Sequence, residues 1–173
     1  MSELVGGFTI KKERFMETKT WICDTCGQEI IEASHGWVEW LRDVELVDSR
    51  PSKGLRLVHH FPASPLRGDS RCQYNGDEEF HTRGWSIRDM DLPYFLGPDG
   101  LMRLLSFLAE KDLPQDEVLE MIKRLHIPGY EHARHHFDAA IADQVFEPNT
   151  REGFYRQSNI KATLEWVEEN REV

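Results

Sequence analysis

The apolar positions of this chain change rhythm near Met90. Before it, short aromatic and β-branched runs alternate with turn formers. Gly36-Trp37-Val38-Glu39-Trp40-Leu41 has the composition of a strand, and Leu55-Arg56-Leu57-Val58-His59-His60 reads as its partner. Asp48-Ser-Arg-Pro51-Ser-Lys-Gly54 lies between them as a dense turn, and a second loop, Pro62-Ala-Ser-Pro65-Leu-Arg-Gly68-Asp, leads into Cys72. Little between Trp21 and Met90 suggests a helix. After Met90 the period becomes 3.6. Leu101, Leu104, Leu105 and Leu108 form one stripe behind Asp99 as N-cap. Val118, Met121, Ile122 and Leu125 form a second behind Pro114. Pro128-Gly129 breaks the chain. Tyr130, Ala133, Phe137, Ala140 and Ile141 then mark a third helix ended by Pro148, and Ser158 caps a fourth carrying Ile160, Leu164 and Val167. The first twenty residues hold a basic cluster, Lys11-Lys12-Glu13-Arg14, and read as a peripheral strand or partly ordered arm. The expected fold class is α+β: a β-rich module over residues 1–90, then about four helices over 91–173, packed as one compact unit with the first.

Composition narrows the function classes. The 173 residues are 39% hydrophobic and 30% charged, ordinary for a soluble globular protein. No apolar run approaches the roughly 20 residues that span a bilayer, and the N-terminus lacks a basic start followed by an apolar stretch. These features lead to the expectation of a cytoplasmic protein that does not enter a membrane. A net charge of −10 argues against a generic polyanion binder, because phosphate contacts need clustered Lys and Arg. The bases that do cluster, between Arg42 and Arg88, are mostly arginines, which leaves room there for a modest anion-binding surface.

Three cysteines cannot all pair within one chain, and a reducing compartment would keep them as thiols. Two of them stand in Trp-Ile-Cys23-Asp-Thr-Cys26-Gly27. A C-x2-C spacing lets two sulfurs of one tight turn share a metal, and the following glycine supplies the positive φ such turns need. Cys72 is the natural third ligand; the alternative is a buried cysteine acting as a small hydrophobe. The fourth should be a histidine, from among His35, His59, His60 and His81. If Leu55 and Leu57 face the core, strand alternation turns His59 inward and His60 outward, so His59 is favoured and His60 second. The expected set is therefore Cys23, Cys26, His59 and Cys72, holding structural zinc.

The segment Cys23-Asp-Thr-Cys26-Gly27 resembles the zinc knuckles of zinc-ribbon and treble-clef proteins. The likeness covers only the knuckle and the hairpin after it. The usual ribbon ends in a second C-x2-C after a shorter spacer, which this chain lacks.

Other chemistry fits the sequence less well. A thioredoxin-like pair would open a helix in a βαβ setting, whereas here glycine follows the pair within a hairpin. A catalytic zinc would need an open position and a general base such as Glu29 or Glu32, and no HExxH-type or deaminase-type arrangement accompanies them. His132, His135 and His136 have chelating helical spacing but no carboxylate pattern to complete a site, so a solvated helix face is the simpler reading. Trp21, Trp37, Trp40 and Trp85 can stack on bases beside Arg56 or Arg71, although such residues more often fill a small β core. The second and third helices have helix-turn-helix spacing, but Arg134 stands alone among Glu131, Asp138 and Asp143. The function expected is a zinc-stabilised, non-enzymatic module that binds a protein partner. A nucleic-acid-associated or transcription-related zinc protein and a zinc-dependent hydrolase are the alternatives.

Overall fold

Two extended residues on each side of the Cys23–Gln28 turn form the first hairpin: β1 (Trp21–Ile22) pairs antiparallel with β2 (Glu29–Ile30). The computed structural model describes residues 20–45, 50–149 and 151–171, so the basic segment at 11–14 and the start of the 48–54 turn lie outside the described residues. A second sheet follows, with β3 (Gly36–Asp43) at its centre, β4 (Lys53–His59) on one side and β5 (Trp85–Asp91) on the other, all antiparallel. Sequence reading places strands at 36–41 and 55–60 and leaves β5 unassigned. Trp-Ser-Ile-Arg-Asp-Met-Asp places Met90 out of step with Trp85 and Ile87, so no clean alternation marks it.

The structure is α+β, as the pattern requires: two small antiparallel sheets precede the helices. The segment expected to be strand and loop also contains 3-10 turns at Ala33–His35 and Phe61–Ala63 and a π-helical turn at Glu78–Thr82. Helix α1 (Gly97–Glu110) begins two residues before Asp99. Leu96 takes the cap position, and Asp99 sits in the first turn, where its charge favours the helix dipole. Helix α2 (Gln115–His126) follows Pro114. The stripe on α1 is narrower than its leucines suggest, since Leu104 is buried while Leu105 is 43% exposed.

By internal contacts the chain divides into two compact units, one of which is Thr20–His126. Its core joins Ile30 of the hairpin, Val38, Leu57 and Val58 of the sheet, Leu92 and Phe95, and Leu104, Val118 and Met121 of the helices, all essentially inaccessible. Each such side chain contributes about 1.5–3 kcal/mol through removal from water. Trp40 meets Phe107 edge-on at 5.3 Å. Gly36 is required where β3 begins, because an added Cβ would come within 2.6 Å of the Leu92 side chain. Strand β4 lies at an edge of its sheet, and its outward amides are met by carboxylates. Asp24 Oδ2 accepts the Leu57 N–H at 2.7 Å, and Glu117 of α2 accepts the Leu55 N–H at 2.7 Å. Such covering blunts an edge that would otherwise pair with another chain.

The other unit is described over residues 127–149 and 151–171. The single third helix expected from the stripe is two short segments, α3 (Tyr130–Ala133) and α4 (Phe137–Ala142), separated by a turn at 134–136. The stripe residues Tyr130, Ala133, Phe137 and Ala140 are buried even so. Helix α5 (Gln157–Arg171) starts at Gln157, and the side chain of Asn159 accepts the Arg156 N–H just before it. Ile160 and Leu164 pack with Tyr130 and Phe137, and Tyr155 stacks on Phe137 at 3.6 Å. Among the described residues no helix is long and apolar enough to cross a membrane.

Candidate metal centre

The hairpin turn is shaped by its own backbone. The Cys23 N–H donates to Gln28 O and the Gly27 N–H to Cys23 O, both at 2.9 Å. Gly27 has φ of +70°, a left-handed conformation that only glycine adopts without strain, and an added Cβ there would meet nothing within 4 Å. Backbone conformation therefore explains this glycine, and packing does not.

The two residues between the cysteines tie the turn to the rest of the unit. The Asp24 N–H donates to Leu57 O at 2.8 Å, and its carboxylate accepts both the Leu57 N–H and Nη1 of Arg124, the latter at 2.7 Å. Arg124 also donates through Nη2 to Ile22 O at 2.9 Å, with its side chain only 4% exposed. The Thr25 hydroxyl donates to Cys72 O at 2.6 Å, which brings the third cysteine to the turn. The Cys72 segment is steadied from its other side. Buried Glu39 receives two donors from Arg56, at 2.6 and 2.8 Å, and the Tyr74 N–H at 3.0 Å, while the Arg56 guanidinium lies 3.5 Å over the Tyr74 ring.

These anchors bring together the four residues named from the sequence. One donor atom from each of Cys23, Cys26, His59 and Cys72 lies within 4.8 Å of all the others, the one such cluster among the described residues. His59 ends β4 facing inward, 6% exposed, with Nε2 3.2 Å from Glu29 O. That carbonyl can only accept, so Nε2 carries the proton and Nδ1 presents its lone pair to the sulfurs. Nδ1 lies 3.5 Å from Cys26 Sγ and 3.9 Å from Cys72 Sγ. A tetrahedral ion with ordinary metal–sulfur and metal–nitrogen bonds would separate sulfur and nitrogen by about 3.6 Å. The donors already stand near that spacing. The Ser64 hydroxyl donates to Cys72 Sγ at 3.0 Å.

Burial sets the protonation states. It pushes the Cys26 thiol up to about 12, with the Cys23 and Cys72 thiols adding to the shift, so without a cation in the site this sulfur keeps its proton. Burial lowers His59 from its ordinary value despite the opposing hydrogen bond to Glu29, which keeps the imidazole neutral, as a ligand must be. Three sulfurs and an imidazole are soft and borderline donors suited to a tetrahedral cation such as zinc, and four of them leave no open position.

The other histidines lie elsewhere. His35 faces Glu32 at 3.7 Å, His60 packs on Trp37 at 4.1 Å, and His81 packs edge-on against Phe80. Glu29 and Glu32 are exposed and outside the donor cluster. The chain turns after Ala133, so His132, His135 and His136 do not share one helix. Trp21 and Trp85 are buried, with Arg50 stacked on Trp85 at 3.9 Å, and Arg71 stacks on Phe61 at 3.9 Å. Neither alternation nor ligand spacing in the sequence singles out Asp24, Thr25, Ser64 or Arg124. Position alone hinted at the first two, lying inside the C-x2-C turn. The only sign of Arg124 was its place among the buried positions of α2 after Val118 and Met121. Compared with known proteins, the chain matches no family model, no curated protein and no solved structure.

Proposed function

We propose that Cys23, Cys26, His59 and Cys72 hold one structural zinc ion, and that the protein is a zinc-stabilised module that binds a protein partner. The observation that carries the metal reading is the donor spacing: Nδ1 of His59 stands 3.5 and 3.9 Å from two sulfurs, with its other nitrogen held by Glu29 O. A full set of four protein donors supports an architectural ion over a reagent, because catalytic zinc keeps a position for water or substrate. The net charge of −10 and the exposed apolar side chains Tyr94, Met102 and Leu105 favour a protein surface as partner over a polyanion.

Metal analysis of the purified protein tests the site. Wild type should carry about one zinc per chain, and Cys23→Ser, Cys72→Ser and His59→Ala should lose it together with sheet structure. Full occupancy and unchanged stability in the Cys72 variant would refute the ligand set. Tight, salt-sensitive binding to nucleic acid in a gel shift would overturn the choice of partner, and a metal-bound water in the absorption spectrum of a cobalt-substituted sample would overturn the architectural role.

A further inference from the structure

The four donors are not equally protected. Cys23 is 1% exposed and Cys72 is inaccessible, while Cys26 is only partly buried. Beside it stands Gly27, whose missing side chain leaves open space. The Thr25 side chain, the other immediate neighbour, donates to Cys72 O. A small oxidant therefore reaches one sulfur of the cluster before the others. Access of this kind, together with thiolate character, decides which cysteine oxidises first.

We infer that Cys26 is a modification site at which a hydroperoxide oxidises the cluster and releases the ion, an inference that rests on the zinc reading above. In the first step Cys26, which would be a thiolate with the ion bound, attacks the peroxide. An S–O bond forms and the O–O bond breaks. With hydrogen peroxide and one proton the products are the Cys26 sulfenic acid and water. In the second step the Cys23 thiolate attacks the Cys26 sulfur, and with a further proton the sulfenic oxygen leaves as water. The two thiolates have then given two electrons to one O–O bond, and the products are a disulfide and two waters. Cys72 and His59 are left as the only two ligands, too few for a tetrahedral ion, and zinc departs.

Geometry favours Cys23 as the resolving thiol. It shares with Cys26 the five-residue turn closed by the Gly27 N–H to Cys23 O bond. Cys72 sits on a separate segment, its sulfur engaged by the Ser64 hydroxyl and its carbonyl by Thr25. Closing the turn into a disulfide also moves Asp24, which lies between the two sulfurs and clips the turn to Leu57.

The test starts from full-length protein whose zinc content has been measured. Hydrogen peroxide is added in increments, released zinc is read with a colorimetric chelator, and cysteine states are mapped by differential alkylation and mass spectrometry. Zinc should appear in proportion to a Cys23–Cys26 disulfide, with a Cys26 sulfenic acid trapped by dimedone at early times. A thiol reductant with added zinc should restore the starting metal content. Zinc that stays bound through excess peroxide, or first modification at Cys23 or Cys72, would overturn the inference while leaving the zinc site intact. Protein that carries no zinc at the outset would instead overturn the reading on which the inference rests. A Ser64→Ala variant, which removes the hydroxyl bonded to Cys72 Sγ and to the Leu66 N–H, should keep Cys26 as the first residue modified; a shift to Cys72 would show that hydrogen bonding, and not access, sets the order.

Discussion

Replacing Arg124 by leucine probes how a helix residue supports a turn a hundred positions earlier in the chain. The guanidinium donates to the Asp24 carboxylate at 2.7 Å and to Ile22 O at 2.9 Å. Removing one partner of a fully buried pair costs about 3–5 kcal/mol, most of it from the charge left behind. Here the Asp24 side chain is 23% exposed and keeps the Leu57 N–H, so water relieves part of that cost, and leucine adds some apolar burial. The expected loss is about 2 kcal/mol, roughly a 1 M drop in urea midpoint at an ordinary dependence on denaturant. The assay is equilibrium urea unfolding of zinc-loaded protein, run as a cycle with Asp24→Ala and the double variant. A coupling energy of about 1.5 kcal/mol or more is expected, and slowed exchange of the Leu57 amide in wild type should be lost in both single variants. A loss below about 0.5 kcal/mol, or additive single effects, would refute the view that Arg124 holds the turn through Asp24.

Other expectations concern separate parts of the structure. His126 Nε2 lies 3.0 Å from Phe95 O, and burial holds the residue below its ordinary value. The neutral form is thus favoured in the fold, and its contribution is fully present above about pH 6.5 and lost as pH falls through the lowered folded value. Urea unfolding from pH 8 to 5 should show a decline that is smaller in His126→Gln; identical profiles would show that this residue does not contribute. Gly100→Ala should stabilise α1 by about 1 kcal/mol on helix propensity alone, but the new Cβ would collide with the Phe95 backbone, so we expect a loss of about 2 kcal/mol or more in thermal unfolding. Gly27→Ala meets no neighbour and should cost only the left-handed backbone penalty, about 1 kcal/mol, with zinc still bound. Complete loss of metal in that variant would mean the turn has no tolerance for a side chain.

Short-range chemistry was legible in the sequence. Two cysteines three positions apart announce a shared turn whatever surrounds them, and the alternation of Leu55, Leu57 and His59 puts the imidazole on the buried side of β4. The remaining supports depend on contacts that leave no periodic trace. Asp24 finds Arg124 a hundred residues away, and Glu117 on a helix caps an amide of β4. A charged residue on a helix reads as solvated unless the neighbour that buries it is known, and that neighbour is set by tertiary packing. The third helix failed for a related reason. Tyr130, Ala133, Phe137 and Ala140 keep helical spacing because all four are buried, the first three in one core, yet the chain turns at 134–136 between them. Burial conserves the stripe where the helix itself is interrupted.

At Leu57 the edge of β4 offers one donor and one acceptor, and Asp24 answers both, its N–H on the carbonyl and its carboxylate on the amide. A single residue thereby imitates the strand that is missing from that side. Because Asp24 sits between two metal-binding candidates, the imitation lasts only while the turn is held. On the proposed zinc reading, a chain stripped of the ion would present an unsatisfied ladder position to any extended peptide nearby, including another stripped chain. Metal depletion should therefore show itself first as crowding behaviour: light scattering that grows with protein concentration, and that zinc reverses if added before the aggregates mature.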